Sequence, residues 1–235
     1  MFAPRSADPT MGPWHERLVR AKAHLEAPWF KRSRRGTFAL GGRTYDYFLH
    51  GYNGTWRNER MVEVPPALEL ARARAAGRVV EIGNVLSFYG APAHEIVDYY
   101  ERAPGVRNED VMTFEPSGPY DAVIAISTLE HVGVDEPQRD RTKARAAIER
   151  LGGLLGPGGE LLVTIPLGWN PDLDEGLADG SLAFDETAFL RRTSPKGDWR
   201  EIGADEAAGA PYGEPFPFAN VVAFGRRTAP DGAPA

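Results

Sequence analysis

What most constrains the fold of this chain is the recurrence of short apolar runs separated by stretches of helical character. The runs are Arg78 to Gly83, His94 to Tyr99, Tyr120 to Ser127 and Glu160 to Ile165. Each has strand length, and the first stops at a glycine, where a backbone can approach a ligand closely. Before the first run, Val62 to Ala76 is rich in Ala, Leu and Arg, which predicts a helix closed by Gly77, with Pro65 and Pro66 tolerated around its first turn. Between the third and fourth runs, Ala144, Ile148, Leu151 and Leu155 fall on one helical stripe, and Gly156-Pro157-Gly158-Gly159 turns the chain into the next strand. Strands alternating with helices predict a mostly parallel sheet.

Beyond Gly168 the pattern changes. Phe189 to Ser194, Trp199 to Ile202 and Asn220 to Phe224 read as late strands joined by Pro/Gly/Asp turns, and Thr228 to Ala235 as a frayed tail. At the other end, Trp14, Leu18, Ala21 and Leu25 mark an amphipathic helix over residues 13–27, ending near Pro28. Gly36 to Asn58 carries Gly-Gly, Tyr-Asp-Tyr and Tyr-Asn-Gly clusters, which predict an aromatic-rich hairpin or ordered loop. With 235 residues, 42% of them hydrophobic, the chain can bury one substantial core. The expected organisation is an N-terminal extension and candidate lid at 1–58, a domain at 59–227 and a flexible tail at 228–235.

Several functions are disfavoured by composition. No apolar run approaches the roughly 20 residues that span a bilayer, so no membrane embedding is expected. The N-terminus lacks the apolar centre of a secretory signal, and cysteine is absent, so disulfides, thiolate nucleophiles and Cys-bound metals are ruled out. A cytoplasmic protein is the expectation. A net charge of −6 with a pI near 5.5 argues against nucleic acid as the main partner. Residues 1–35 carry eight Lys or Arg against three acids, including Lys31, Arg32, Arg34 and Arg35, which reads as a solvated basic helix end. No His-x-x-x-His or acidic triplet suggests a catalytic metal.

Three segments carry a resemblance. Val79-Val80-Glu81-Ile82-Gly83, then Tyr120-Asp121-Ala122-Val123-Ile124-Ala125-Ile126-Ser127-Thr128-Leu129-Glu130-His131-Val132, then Leu154-Leu155-Gly156-Pro157-Gly158-Gly159 leading into Glu160 to Pro166, occur in the order found in class I S-adenosylmethionine-dependent methyltransferases, which the chain resembles over about residues 60–225. The resemblance implies a Rossmann-like class I methyltransferase fold: a seven-stranded, mostly parallel sheet with an antiparallel last strand. It departs from the family in the first loop. The usual Gly-x-Gly-x-Gly is replaced by Gly83-Asn84-Val85-Leu86-Ser87, with bulky residues where glycine is expected. That loop is similar to one in a bacterial subgroup, which Asn53, Trp56, Asn58 and Glu59 also resemble.

The resemblance implies S-adenosyl-L-methionine as cofactor and gives residues for it. Glu81, Gly83 and Asn84 would border its methionine end, Asp98 would accept from the two ribose hydroxyls, and Asp110 from the adenine amino group, with Val111 or Met112 packing on the base. Ser127 and Thr128 would lie near the transferable methyl. A carboxylate suits two hydroxyl donors; the plainer reading of Asp98 and Asp110 is an exposed turn acid or a cap.

Methyl transfer needs a positioned nucleophile and, for a hydroxyl, removal of its proton. His131 is the candidate base, since imidazole titrates near neutrality; it could equally cap or pack the Leu-Glu-His-Val motif. His50, Tyr52, Asn53, Trp56, Tyr89, Trp169 and Asn170 could form a substrate-binding wall that excludes water, or a satellite core. The partner expected is a small molecule bearing a hydroxyl or amine, such as a sugar or specialised metabolite. The competing reading is a non-catalytic, repurposed Rossmann-like protein. A nicotinamide oxidoreductase would need a glycine fingerprint that is absent.

Overall fold

The structure, a computed structural model, describes residues 36–232. The helix expected over 13–27 and the basic run through Arg35 lie outside the described residues, as do 233–235. The first described element is a hairpin, β1 (Thr37–Leu40) and β2 (Arg43–Asp46), closed by Gly41-Gly42. Both turn residues have positive φ, 57° and 74°, as a two-residue turn between twisted strands requires. A 3-10 segment (Tyr52–Arg57) leads into helix α1 (Arg60–Ala73).

Helix α1 begins two residues earlier than the sequence predicted and ends at Ala73, so Pro65 and Pro66 stand in its second turn rather than its first. A proline there removes an N–H and leaves the carbonyl four residues back without its helical donor. For Pro65 that carbonyl is Met61 O, and it is taken instead by Phe48 N–H at 2.9 Å.

The remaining elements are β3 (Val79–Ile82), β4 (Glu95–Val97), β5 (Val106–Arg107), β6 (Tyr120–Ile126), α2 (Lys143–Gly152), β7 (Leu155–Pro166), α3 (Pro171–Ala178), β8 (Glu186–Arg192), β9 (Trp199–Ile202), α4 (Ala204–Ala207) and β10 (Val221–Thr228). Strands β3 to β10 form one sheet in the order β5-β4-β3-β6-β7-β10-β8-β9. Pairs among β3 to β7 are parallel, and β10 inserts antiparallel between β7 and β8. This is the Rossmann-like class I methyltransferase arrangement, in which the last strand runs against its neighbours. The count differs from the expected seven because β9 adds an eighth strand, antiparallel, at the β8 edge.

Other boundaries moved for local reasons. Leu155 belongs to β7, where it pairs with Tyr120, and not to the α2 stripe. Gly156-Pro157-Gly158-Gly159 forms a bulge inside β7 rather than a turn before it, since the register jumps from Tyr120/Leu155 to Ala122/Glu160. Strand β8 lies about three residues earlier than expected, β5 was not foreseen, and β10 continues to Thr228, where the tail was expected to begin. Past it, Ala229 still exchanges hydrogen bonds with Gly158 and Gly159.

Alternation along β6 shows how the core divides. Ala122, Ile124 and Ile126 face α1, packing with Val64, Ala67, Leu68 and Ala71. Val123 and Ala125 face the opposite layer, with Ala144, Ile148 and Leu151 of α2 and Leu173 of α3. Burial of such side chains contributes about 1.5–3 kcal/mol each. A third cluster seats the hairpin, through Phe38, Leu40 and Tyr45, on Leu190, Val222 and Phe224. Among the described residues no helix is long and apolar enough to cross a membrane. The carboxyl ends of β3, β4 and β6 open onto one crevice, the expected position for a ligand in an open α/β sheet.

Candidate functional site

The crevice is lined by Gly83 from the end of β3, Asp98 beyond β4, Asp110 and Val111 after β5, and Thr128 and His131 after β6, with Tyr99, Tyr100 and Glu136 at its walls. Six residues singled out in the sequence thus converge there. Asp98 is 4% exposed, and its Oδ1 accepts from Tyr100 N–H and Glu101 N–H, both at 2.7 Å. Its Oδ2 is buried with no hydrogen-bond partner. A buried acceptor left unmade costs about 1–3 kcal/mol, more when charged, so an oxygen like this is expected to serve a ligand.

Asp110 is already engaged: Oδ1 accepts from Met112 N–H at 2.9 Å and Oδ2 from Lys143 Nζ at 2.7 Å. Burial works against its ionisation, but the Lys143 hydrogen bond and charge and the Met112 N–H outweigh it and hold the carboxyl below its ordinary range. Lys143 also pairs with Glu136, so the lysine ties two acids of the crevice together.

Glu81 lies behind the crevice, fully buried. Its Oε1 accepts from Val85 N–H and Leu86 N–H at 2.9 Å each, which folds the loop after β3 back over the strand end. Leu86 is thereby buried in the α1 cluster, with Val85 packed against it. The bulky residues that replace the family's glycines therefore point into the core, and the crevice keeps only Gly83 of that loop. Asn84 bonds Glu101 at 3.1 Å and Ser87, bridging the loop to the segment after Asp98.

Glu81 Oε2 meets His94 Nε2 at 2.9 Å, and His94 Nδ1 meets Pro92 O at 2.7 Å. Burial alone would lower the pKa of His94. The hydrogen bonds to Glu81 and the Pro92 carbonyl, with the charge of Glu81, raise it instead above its ordinary 6.5. A raised folded-state pKa contributes stability that is fully present below the unfolded value and is lost as pH rises through the folded one. The Tm advantage of the wild type over His94→Gln should therefore shrink as pH increases above about 6.5. A pH-independent difference in thermal melts would remove the charged pair from the account of this loop.

His131 stands where the crevice meets a second polar region. Its Nδ1 is 2.6 Å from Asp135 Oδ2, four residues on, and its Nε2 is 3.7 Å from Glu130 Oε1. The Trp169 ring packs edge-on against it at 5.0 Å, and Tyr212 against Trp169 at 4.9 Å. Ser127 turns away from the crevice: it has φ 39°, and its Oγ donates to Glu63 Oε1 at 2.5 Å. Thr164 Oγ1 donates to the same oxygen at 2.8 Å, and Arg60 pairs with Glu63 Oε2 at 2.5 Å. A non-glycine residue at positive φ is uncommon and costs about 1–3 kcal/mol, which Ser127 spends on this network.

The expected substrate wall divides. His50, Tyr52 and Tyr89 gather with Phe48 and Phe88 in one aromatic group: Tyr52 stacks on Phe88 at 4.4 Å, and His50 meets Tyr89 edge-on at 5.3 Å. Asn53 has φ 57° and accepts from Asn58 through its carbonyl, a turn role. Trp56 is 3% exposed within the hairpin cluster. Asn170 is the N-cap of α3, accepting from Asp172 N–H and Leu173 N–H while donating to Glu130 O. Sequence reasoning did not single out Glu63, Arg60, Asp135, Lys143 or Tyr212. A signal was present for two of them: an acid inside the apolar run Met61-Val62-Glu63-Val64, and the i,i+4 spacing of His131 and Asp135.

No protein-family model matches the chain, and no curated protein matches it in sequence. Among solved structures it is similar to N-methyltransferase NodS from Bradyrhizobium japonicum WM9 in complex with S-adenosyl-L-homocysteine, at 14% identity and TM-score 0.43 over 69% of this chain and 85% of that one. It is similar to 1,6-didemethyltoxoflavin-N1-methyltransferase of Burkholderia thailandensis at 11% identity and TM-score 0.42, over 95% and 92% of the two chains. An amino pentose methyltransferase from Micromonospora echinaspora shares 21% identity at TM-score 0.33, over 51% and 57%. The strand order, rather than these superpositions, assigns the fold.

Proposed function

We propose that the chain is an S-adenosylmethionine-dependent methyltransferase acting on a small-molecule acceptor, in the cytoplasm. The observation that carries this reading is Asp98, a buried carboxylate at the end of β4 with one oxygen held by two backbone N–H groups and the other unpartnered. Its free acceptor oxygen fits vicinal ribose hydroxyls, which donate, and Asp110 and Val111, further along the crevice, fit an adenine edge and face. Gly83 and Thr128 would border the methionine end. S-adenosylmethionine, when bound, supplies an electrophilic methyl group on a sulfonium.

His131 is the residue to handle the acceptor's proton. A carboxylate only accepts, so contact with Asp135 puts a hydrogen on Nδ1 and leaves Nε2 as the basic nitrogen in the neutral ring. Asp135 fixes the tautomer and stabilises the imidazolium once formed. Trp169 and Tyr212 limit water at that position.

Titration calorimetry of Asp98→Ala with S-adenosylhomocysteine tests the cofactor site. Charge-assisted hydrogen bonds contribute about 1.5–3 kcal/mol, so affinity should fall about 10- to 100-fold. Unchanged affinity in a folded variant would remove Asp98 from the site and the main support for the reading.

A further inference from the structure

Next to the crevice, three glutamates are buried together: Glu59 at 8% exposure, Glu63 at 0% and Glu130 at 2%. Arg60 pairs with Glu63 within the cluster. Glu63 is satisfied by Ser127, Thr164 and Arg60, and Glu59 accepts from Ala219 N–H at 3.2 Å. Glu130 is not satisfied: its Oε2 is buried with no hydrogen-bond partner, while its Oε1 faces His131 Nε2 at 3.7 Å. The unsatisfied oxygen, which a cation's N–H would fit, thus belongs to the acid that faces the proton-handling histidine.

The surroundings fit the same charge. Tyr212 feels Glu59, Glu130, Arg60 and Glu63, Tyr89 feels Arg60, Glu63 and Glu59, and the Trp169 ring lies between His131 and Tyr212. Aromatic faces beside carboxylates attract organic cations. An organic ammonium, which brings both a charge and N–H donors, fits an unpartnered carboxylate oxygen near aromatic rings.

We propose that the acceptor is an amine, bound as its ammonium with an N–H directed at Glu130 Oε2, and that His131 Nε2 takes one of its protons. This rests on the methyltransferase reading and names the acceptor class within it. The proton balance is direct: ammonium and neutral imidazole give amine and imidazolium. The nitrogen lone pair so released forms the new N–C bond while the S–C pair stays with sulfur. Burial, with the charges of Glu63 and Glu59, pushes the Glu130 carboxyl well above its ordinary value, the N–H of its own backbone and Arg60 opposing. An ammonium N–H directed at Oε2 would offset that burial penalty and favour the carboxylate form.

Calorimetry with matched probes, cyclohexylamine against cyclohexanol and glucosamine against glucose, tests this with S-adenosylhomocysteine present. At least one amine should bind at millimolar concentration, and its matched alcohol should bind more weakly. Glu130→Gln, which keeps the shape, should weaken the amine about 10- to 100-fold. S-adenosylhomocysteine affinity should not change. Equal binding of the alcohols, an unchanged amine in Glu130→Gln, or no amine binding while S-adenosylhomocysteine binds would each overturn the amine assignment. Failure of S-adenosylhomocysteine to bind the wild type would instead sink the methyltransferase reading, and amine binding measured alone would still report on the cluster.

Discussion

Gly83→Val is expected to abolish S-adenosylhomocysteine binding and to lower stability at the same time, because two constraints meet at this one position. Its φ is 86°, a region in which L side chains are strained. A Cβ built there would lie 3.0 Å from Thr128 Cγ2 and closer still to Thr128 Oγ1. Strain of about 1–3 kcal/mol and overpacking of a similar size add to a large part of a typical stability of about 5–15 kcal/mol. Gly83→Ala separates the two. Adding Thr128→Ala to it removes Oγ1 and Cγ2 and should recover part of the lost Tm, leaving the φ strain behind. If the second substitution recovers nothing in thermal melts, Thr128 is not the obstacle that keeps this position a glycine.

With the proposed role of His131 in handling the acceptor's proton, His131→Ala should reduce methyl transfer about 10²- to 10⁴-fold while leaving S-adenosylhomocysteine affinity within a small factor. The loss should be partly recovered at higher pH, where more of an amine acceptor is already deprotonated. Asp135→Asn provides a graded control: it keeps the size but weakens the hold on Nδ1, so it should lower turnover by less. A purely packing role against Trp169 would instead lower Tm and leave the pH profile unchanged. Turnover within about threefold of wild type at every pH would leave proximity and orientation as the source of rate.

The parts of this molecule legible in the sequence were those written in periodicity. Strands β3, β4, β6 and β7 were located because burial of strands leaves apolar runs, and β9, Trp-Arg-Glu-Ile with only its end residues buried, was read to the residue. Strand β5 was missed because two residues carry no period. Helix α1 was placed two residues late because its prolines were judged by local rules, whereas a donor from Phe48, distant in sequence, makes them tolerable. Site residues divided the same way. Those at strand ends, Gly83, Asp98, Thr128 and His131, were singled out through the family resemblance, and they line one crevice. Ser127 and Asn170 sit beside it but spend their side chains on Glu63 and on a helix cap, and no one-dimensional pattern states which way a residue turns after a strand ends. The glutamate cluster was not legible as a whole because Glu130 joins Glu59 and Glu63, one helical turn apart, only when α1 lies across β6.

The missing hydrogen bond in α1 also has a structural use. Phe48, whose N–H takes the carbonyl that Pro65 releases, stacks on His50 and meets Tyr89 edge-on, so one backbone bond pins the aromatic group to the helix that carries Glu59, Arg60 and Glu63. A helix with a complete ladder would have no carbonyl to offer there. The aromatic side and the acidic side of the region are therefore held in register by a vacancy in the ladder, and a change at Pro65 would reach the candidate site without touching any residue in it.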